Sequence, residues 1–426
     1  MGEPMWGVVE EHLEEAEYLF RRWRDALEAP DFTPRKAARF EKRLLPQLDG
    51  LADACPEAVG RLLEPALEAG DASRAQAAAL AILHSGMPEA VGVLVEGLRS
   101  AETPEPLSRA LCLSPRPVES ALGPLLSSPT ALHRAWALDI EAFRQAPVSE
   151  WLTPFLAAEE PVVAAAALRL ARFSTEVARR WIHRGLGAQD SGLRDAAIEA
   201  GLLGGMRSAW AMAQRAVDER RLRFDLPLFV LAMSGEPEDA ERLAGLLKDE
   251  LERGAALFAL GFSGWSRAVD LCLPFLGDAD VGPLAGEVVT AITGLELKDG
   301  FCQPPAEPEE ELTADEEDRD VAPVAGLPVP NPEAVQRWWA ENRHRLEPQR
   351  RYLNGRVLSP ESLVDALAHG PMRRRHMLAL EASVQSGGRF RLETRAWLRA
   401  QRLGMPMIAS ATLGHSLTPF SELLKQ

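Results

Sequence analysis

The chain has 426 residues, 46% of them hydrophobic but only 6% aromatic, and alanine and leucine supply most of the apolar content. Closely packed helices suit that composition better than sheet, which draws on β-branched and aromatic residues. The formal net charge of −16 is spread unevenly, as −15 over residues 1–306, −8 over 307–330 and +7 over 331–426, and so acidic a body excludes a protein that wraps nucleic acid.

No run of about 18 uncharged apolar residues occurs, so no membrane partner is expected. The start "MGEPMWGVVEEHLEEAEYLF" is acidic and lacks a basic leader with an apolar core, which reads as a cytoplasmic chain. Residues 5–69 then read as helical. The first helix puts Val9, His12, Leu13, Ala16, Leu19, Phe20 and Trp23 on one face. The second begins after Thr33 and Pro34, a capping residue followed by a proline in the first turn. Residues 1–69 are expected to form a helical cap over the N-terminal end of a helical stack.

From residue 70 the chain repeats. Eight Ala/Leu-rich runs, such as "RAQAAALAILHSG" from Arg74 and "RGAALFALGFSG" from Arg253, recur roughly every 30 residues. Seven further apolar segments at helical spacing lie between them, among them "PEDAERLAGLLKDE" and "SRAVDLCLPFLGD". Two helices in a unit of that length predict an all-α fold, an α-solenoid over residues 70–300. In "DSGLRDAAIEAGLLGGM" Asp190 is placed to cap a helix, and Gly204, Gly235 and Gly264 to take the left-handed turn at helix ends.

Residues 301–330 are Pro-rich and acidic, and read as a linker or surface loop. Residues 331–426 form a basic, mainly helical C-terminal domain. One helix starts at Pro332, another at "SPESL", and a third spans "PMRRRHMLALEASVQSG". The +7 tail is expected to dock on the acidic body.

Candidate partner-binding residues lie in this tail. Trp338 and Trp339 are adjacent, so one narrow helix face cannot bury both; one packs in a core and the other faces a domain contact or a partner. Arg343 follows on the same helix. Arg373, Arg374 and Arg375 form a run that reads as a solvated face, a clamp on the acidic linker, or a site for an anionic partner.

The short two-helix unit, with an Asp and an Arg four residues apart at its start as in Asp190 and Arg194, resembles HEAT repeats. The N-terminal helices, the repeating middle and the tail "VQRWWAENRHRL…QRRYLNG…RRRHMLALEASV…FRLETRAWLRAQ" together resemble a family of uncharacterised proteobacterial HEAT-repeat proteins, well populated in myxobacteria. That resemblance implies an adaptor role beside type VI secretion components such as spike-tip proteins, and carries no catalytic residues.

Motifs for chemistry are missing. Cys55, Cys112, Cys272 and Cys302 are too far apart for a zinc or dithiol motif. H-E-x-x-H, G-x-x-x-x-G-K and G-x-S-x-G do not occur, and Ser263 in "GFSGW" reads as a turn residue. No cofactor and no metal is expected. The function expected from the sequence is a non-catalytic scaffold or adaptor for another protein. The competing reading is a HEAT-type enzyme, lyase- or hydroxylase-like, with an unrecognised site.

Overall fold

A computed structural model describes residues 4–68, 70–100, 104–219, 226–303, 324–402 and 416–425. The fold is all-α. Among the described residues extended structure is confined to one short hairpin and three isolated bridges. The chain divides into two compact units. One comprises Met1–Glu28, Phe32–Ala200 and Leu392–Pro406; the other comprises Ala29–Asp31, Gly201–Arg391 and Met407–Gln426. This division cuts across the four segments read from the sequence.

In the first unit, α1 (Trp6–Glu28) and α2 (Pro34–Asp53) pair antiparallel. His12 Nδ1 lies 2.6 Å from Gln47 Oε1, and Arg43 lies 2.6 Å from Glu15. The expected apolar face of α1 is buried, with His12 at its half-buried edge. Thr33 caps α2 by accepting from the Lys36 N–H. Next come α3 (Glu64–Glu68), α4 (Ala72–Ser85), α5 (Pro88–Ser100), α6 (Glu105–Leu113), α7 (Glu119–Leu126), α8 (Ala131–Phe143), α9 (Thr153–Leu156), α10 (Pro161–Ala171) and α11 (Thr175–Leu186).

The Ala/Leu-rich runs form α4, α6, α8 and α10, and each packs on the next. Short side chains allow that close approach. Neighbours cover several sides of α4, so it buries every residue from Ala75 to Leu83. Ion pairs cross from one helix to the next about one repeat later: Arg169 grips Asp139 with two bonds of 2.7 and 2.9 Å. The far C-terminal segment completes this unit. Trp397 lies against Trp23 and Phe20, with ring centroids 4.8 and 6.3 Å away, and donates its Nε1–H to Leu113 O at 2.7 Å. Buried Glu41 accepts the Leu398 and Arg399 N–H groups, at 2.6 and 2.9 Å, at the start of the helical turn 398–402.

The division between the units falls within α12 (Ser191–Leu203). As expected, Asp190 caps it, accepting the Leu193 N–H at 2.8 Å. The second unit continues with α13 (Arg207–Asp218), α14 (Leu226–Met233), α15 (Pro237–Leu246), α16 (Glu250–Leu260), α17 (Ser266–Cys272) and α18 (Gly282–Thr293). Helix α14 packs on α16 and α16 on α18; α13 packs on α15 and α15 on α17. All eight Ala/Leu-rich runs and all seven intervening segments are thus helical.

One turn recurs where the Ala/Leu-rich helices end. Left-handed backbone occurs at Gly86, Gly205, Gly235, Gly264 and Gly294, and at Gln145 with φ 54°. From Gly205 onward these positions fall about one repeat apart, whereas Gly86, Gln145 and Gly205 fall about two repeats apart. Ser85, Ser234, Ser263 and Thr293 precede four of the glycines. Each hydroxyl donates back to a helix carbonyl and accepts the N–H two residues on. At the end of α12 the left-handed residue is Gly205, not Gly204 as the sequence suggested. The Met206 N–H bonds to Gly201 O at 2.8 Å, a Schellman closure that sets Gly205 one position past the expected residue.

The tail closes over these turns in the second unit. It contributes α19 (Pro332–Asn342), strands β1 (Tyr352–Leu353) and β2 (Arg356–Val357), α20 (Pro360–His369), α21 (Met372–Gln385) and α22 (Phe420–Leu423). The Tyr352 N–H bonds to Gly264 O at 2.7 Å, Asn354 and Gly355 to Ala291 O and Ile292 O, Phe420 to Ser234 O, and Lys425 to Gly205 O. The expected docking of tail on body exists within this unit, but backbone hydrogen bonds at helix ends carry much of it. The hairpin was not expected from the sequence. Asn354 and Gly355, both left-handed at φ 52° and 75°, make the tight turn that an Asn-Gly pair favours.

Gly264 combines its left-handed φ of 74° with close approach, because an added Cβ would lie 2.9 Å from Tyr352 O. Gly205 has φ 72° and open space around it. Gly205→Ala is expected to lower the unfolding free energy by about 1–2 kcal/mol, the usual cost of left-handed backbone. Gly264→Ala is expected to cost clearly more, as the tail must shift. Denaturant titration of the two variants checks this.

The acidic run lies within residues 304–323, outside the described residues. Its flanks meet: the Gln303 N–H bonds to Val329 O at 2.8 Å and the Asn331 N–H to Phe301 O at 2.9 Å.

Candidate functional site

An open concave surface of the first unit lies between α11 and the segment that leads into α9. In α11, Ala178, Ile182 and Leu186 face the core, which leaves Arg179, Arg180, His183 and Arg184 exposed on the other side. Trp181 lies at the border, half-buried. The Arg180 guanidinium stacks 4.2 Å above its ring, with Arg184 at 6.0 Å. Arg184 also donates to Ala157 O at 3.2 Å, tying α11 to the end of α9.

Glu150 and Thr153 form the opposite wall of a groove of about 670 Å³, whose lining also includes Glu176, Arg179, Arg180 and Trp181. Trp151, between the two wall residues, is 40% exposed and meets Phe155 edge-on at 6.1 Å. An indole beside stacked guanidiniums offers apolar area, cation–π contact and N–H donors to carboxylates. The arrangement suits binding of an extended, acidic segment with an apolar side chain.

No family model matches the chain, and no curated protein matches it. Among solved structures, an engineered protein aligns with 88% of this chain and all of its own, at 16% identity and a TM-score of 0.28. That likeness is too low to fix a topology. Among the described residues no helix is long and apolar enough to cross a membrane, and no three His, Cys, Asp or Glu side chains converge to hold a metal.

The tail residues singled out in the sequence fall into two groups. Trp339 is 2% exposed and donates its Nε1–H to Asp270 at 2.8 Å, and Arg343 reaches the same carboxylate at 3.3 Å. Trp338 stays half-buried and Arg343 exposed. The second group centres on α18. Arg373 and Arg374 approach Glu287 Oε1 at 3.3 and 3.8 Å and lie over the Phe258 and Phe262 rings. Arg375 is buried too, and donates to Leu367 O at 2.7 Å.

Burial pulls the Arg374 guanidinium down to about 10, and Arg375 likewise. The run is therefore not a solvated face. Helix-end carbonyls, aromatic rings and one carboxylate surround guanidiniums that sequence alone would place in water. Sequence reasoning missed the α9–α11 groove. Its one signal was the recurrence of tryptophan a repeat apart, at Trp151 and Trp181.

Proposed function

We propose that the chain is a non-catalytic scaffold, an α-solenoid of HEAT-like repeats that binds another protein through an acidic segment laid along the α9–α11 groove. The observation that carries this reading is the clustering of Trp181 with Arg179 and Arg180 at one open groove, with Trp151 exposed on the segment that supplies its opposite wall. Tryptophan and arginine dominate the binding energy of interfaces. The Ser/Thr–Gly turn recurring at repeat spacing, and the packing of α4, α6, α8 and α10 each on the next in one unit and of α14, α16 and α18 in the other, support the solenoid. A type VI secretion component, as the family resemblance implies, is the partner to test first.

The test is affinity purification of the full chain and of a Trp151→Ala/Trp181→Ala variant from the native organism, followed by titration of the captured partner. The variant is expected to retain its helical circular dichroism and to bind about 30-fold or more weakly, the loss of a hot spot worth at least 2 kcal/mol. Unchanged affinity would sink the groove assignment. Loss on Trp338→Ala/Arg343→Ala instead would place recognition in the tail. A bound small molecule with turnover would favour the lyase- or hydroxylase-like reading.

A further inference from the structure

The second unit contains a separate, partly open cavity of about 200 Å³ beside α18. Leu297, Leu327, Pro328 and Pro371 make its walls largely apolar. Three charged side chains also line it: Glu287 and Arg374 are buried, at 8% and 4% exposure, and Asp31 is exposed at the rim. Arg374 Nη2 donates to Gly261 O at 2.7 Å, and Glu287 Oε1 faces Arg373 Nε at 3.3 Å. Among the described residues, Glu287 Oε2 and Arg374 Nη1 have no hydrogen-bond partner.

A buried polar atom left unpaired costs roughly 1–3 kcal/mol, and more when charged. Here an acceptor and a donor are both left open, on side chains whose other atoms hold them in place. A single water takes up about 30 Å³, so the cavity has room for a larger group. Apolar walls with a few fixed polar groups are the usual make-up of a small-molecule site.

We propose that this cavity binds a small, flat, neutral amide or urea, independently of the scaffold reading. Its C=O accepts from Arg374 Nη1, its N–H donates to Glu287 Oε2, and its apolar body lies against Leu297 and Leu327. A carboxylate brings two acceptors and no donor, so it satisfies Arg374 but faces the Glu287 carboxylate. An ammonium meets the reverse conflict at the two arginines. Only a group with donor and acceptor side by side answers both open atoms.

The test titrates the full chain with benzamide and with benzoate, read by calorimetry and by melting temperature. Benzamide is expected to bind, to raise the melting temperature as its concentration rises, and to bind at least about tenfold more tightly than benzoate. Leu297→Trp, which fills the cavity, is expected to abolish binding with the circular dichroism unchanged; Leu327→Trp serves if that variant does not fold. Glu287→Gln is expected to weaken binding about tenfold, as a charged acceptor becomes neutral. The proposal is overturned if benzoate binds as tightly as benzamide, if neither binds at about 10 mM, or if the filling variants leave binding intact.

Discussion

Replacing Arg351 with methionine is expected to lower the unfolding free energy by about 3–5 kcal/mol, the cost of leaving one partner of a buried ion pair alone. Arg351 Nη1 donates to Glu381 at 2.9 Å, with side-chain exposures of 11% and 2%. Its other donors reach Ser263 O at 2.7 Å and Phe262 O at 3.2 Å, at the end of α16. These are carbonyls with no partner inside their own helix.

Burial already pushes the Glu381 carboxyl above its ordinary value, and Arg351 opposes that push. Without Arg351 the folded chain holds a proton that the unfolded chain releases above the usual carboxylate range. The folded state then binds more protons, so the variant's stability falls as pH rises through the raised folded value. The deficit against the parent should be smaller at about pH 5 than at about pH 8. Urea unfolding at both checks this, and an equal deficit at the two would refute the account. A double variant that also carries Glu381→Met should recover much of the loss.

Trp397→Ala is the second large effect, expected at about 3–5 kcal/mol for deleting a buried tryptophan. The ring packs against both Trp23 and Phe20, which also touch each other, and its N–H satisfies Leu113 O at the end of α6. Trp397→Phe keeps most of the ring contact but strands that carbonyl, and is expected to cost about 1–3 kcal/mol. Thermal or denaturant unfolding of both variants checks the order. A Trp397→Ala protein within about 1 kcal/mol of the parent would show that the tail segment adds little to this unit.

The helices were legible because local chemistry determines them. Apolar periodicity marked α4 to α18, and the caps at Thr33, Asp190 and Ser359 are short-range hydrogen bonds between near neighbours. Tertiary placement was not legible. The Arg373–Arg375 run looks solvated until α16 and α18 supply Gly261 O, Phe262 and Glu287 to receive it. The hairpin carried its Asn-Gly signal, but strands of two residues each have no periodicity to notice. Neither concave site was read in advance: the α9–α11 groove joins residues a repeat apart, and the α18 cavity joins residues as distant as Asp31 and Arg374.

The route of the chain has a consequence for its synthesis. The N-terminal unit takes residues up to Ala200 and then Leu392–Pro406, and the other unit takes nearly everything between. A chain leaving the ribosome therefore presents Phe20, Trp23 and the Glu41 carboxylate long before Trp397, Leu398 and Arg399 emerge to cover them. At about 5–20 residues per second that interval lasts tens of seconds. During it the first unit must survive with an open apolar seam, so this part of the protein is finished last although it is made first.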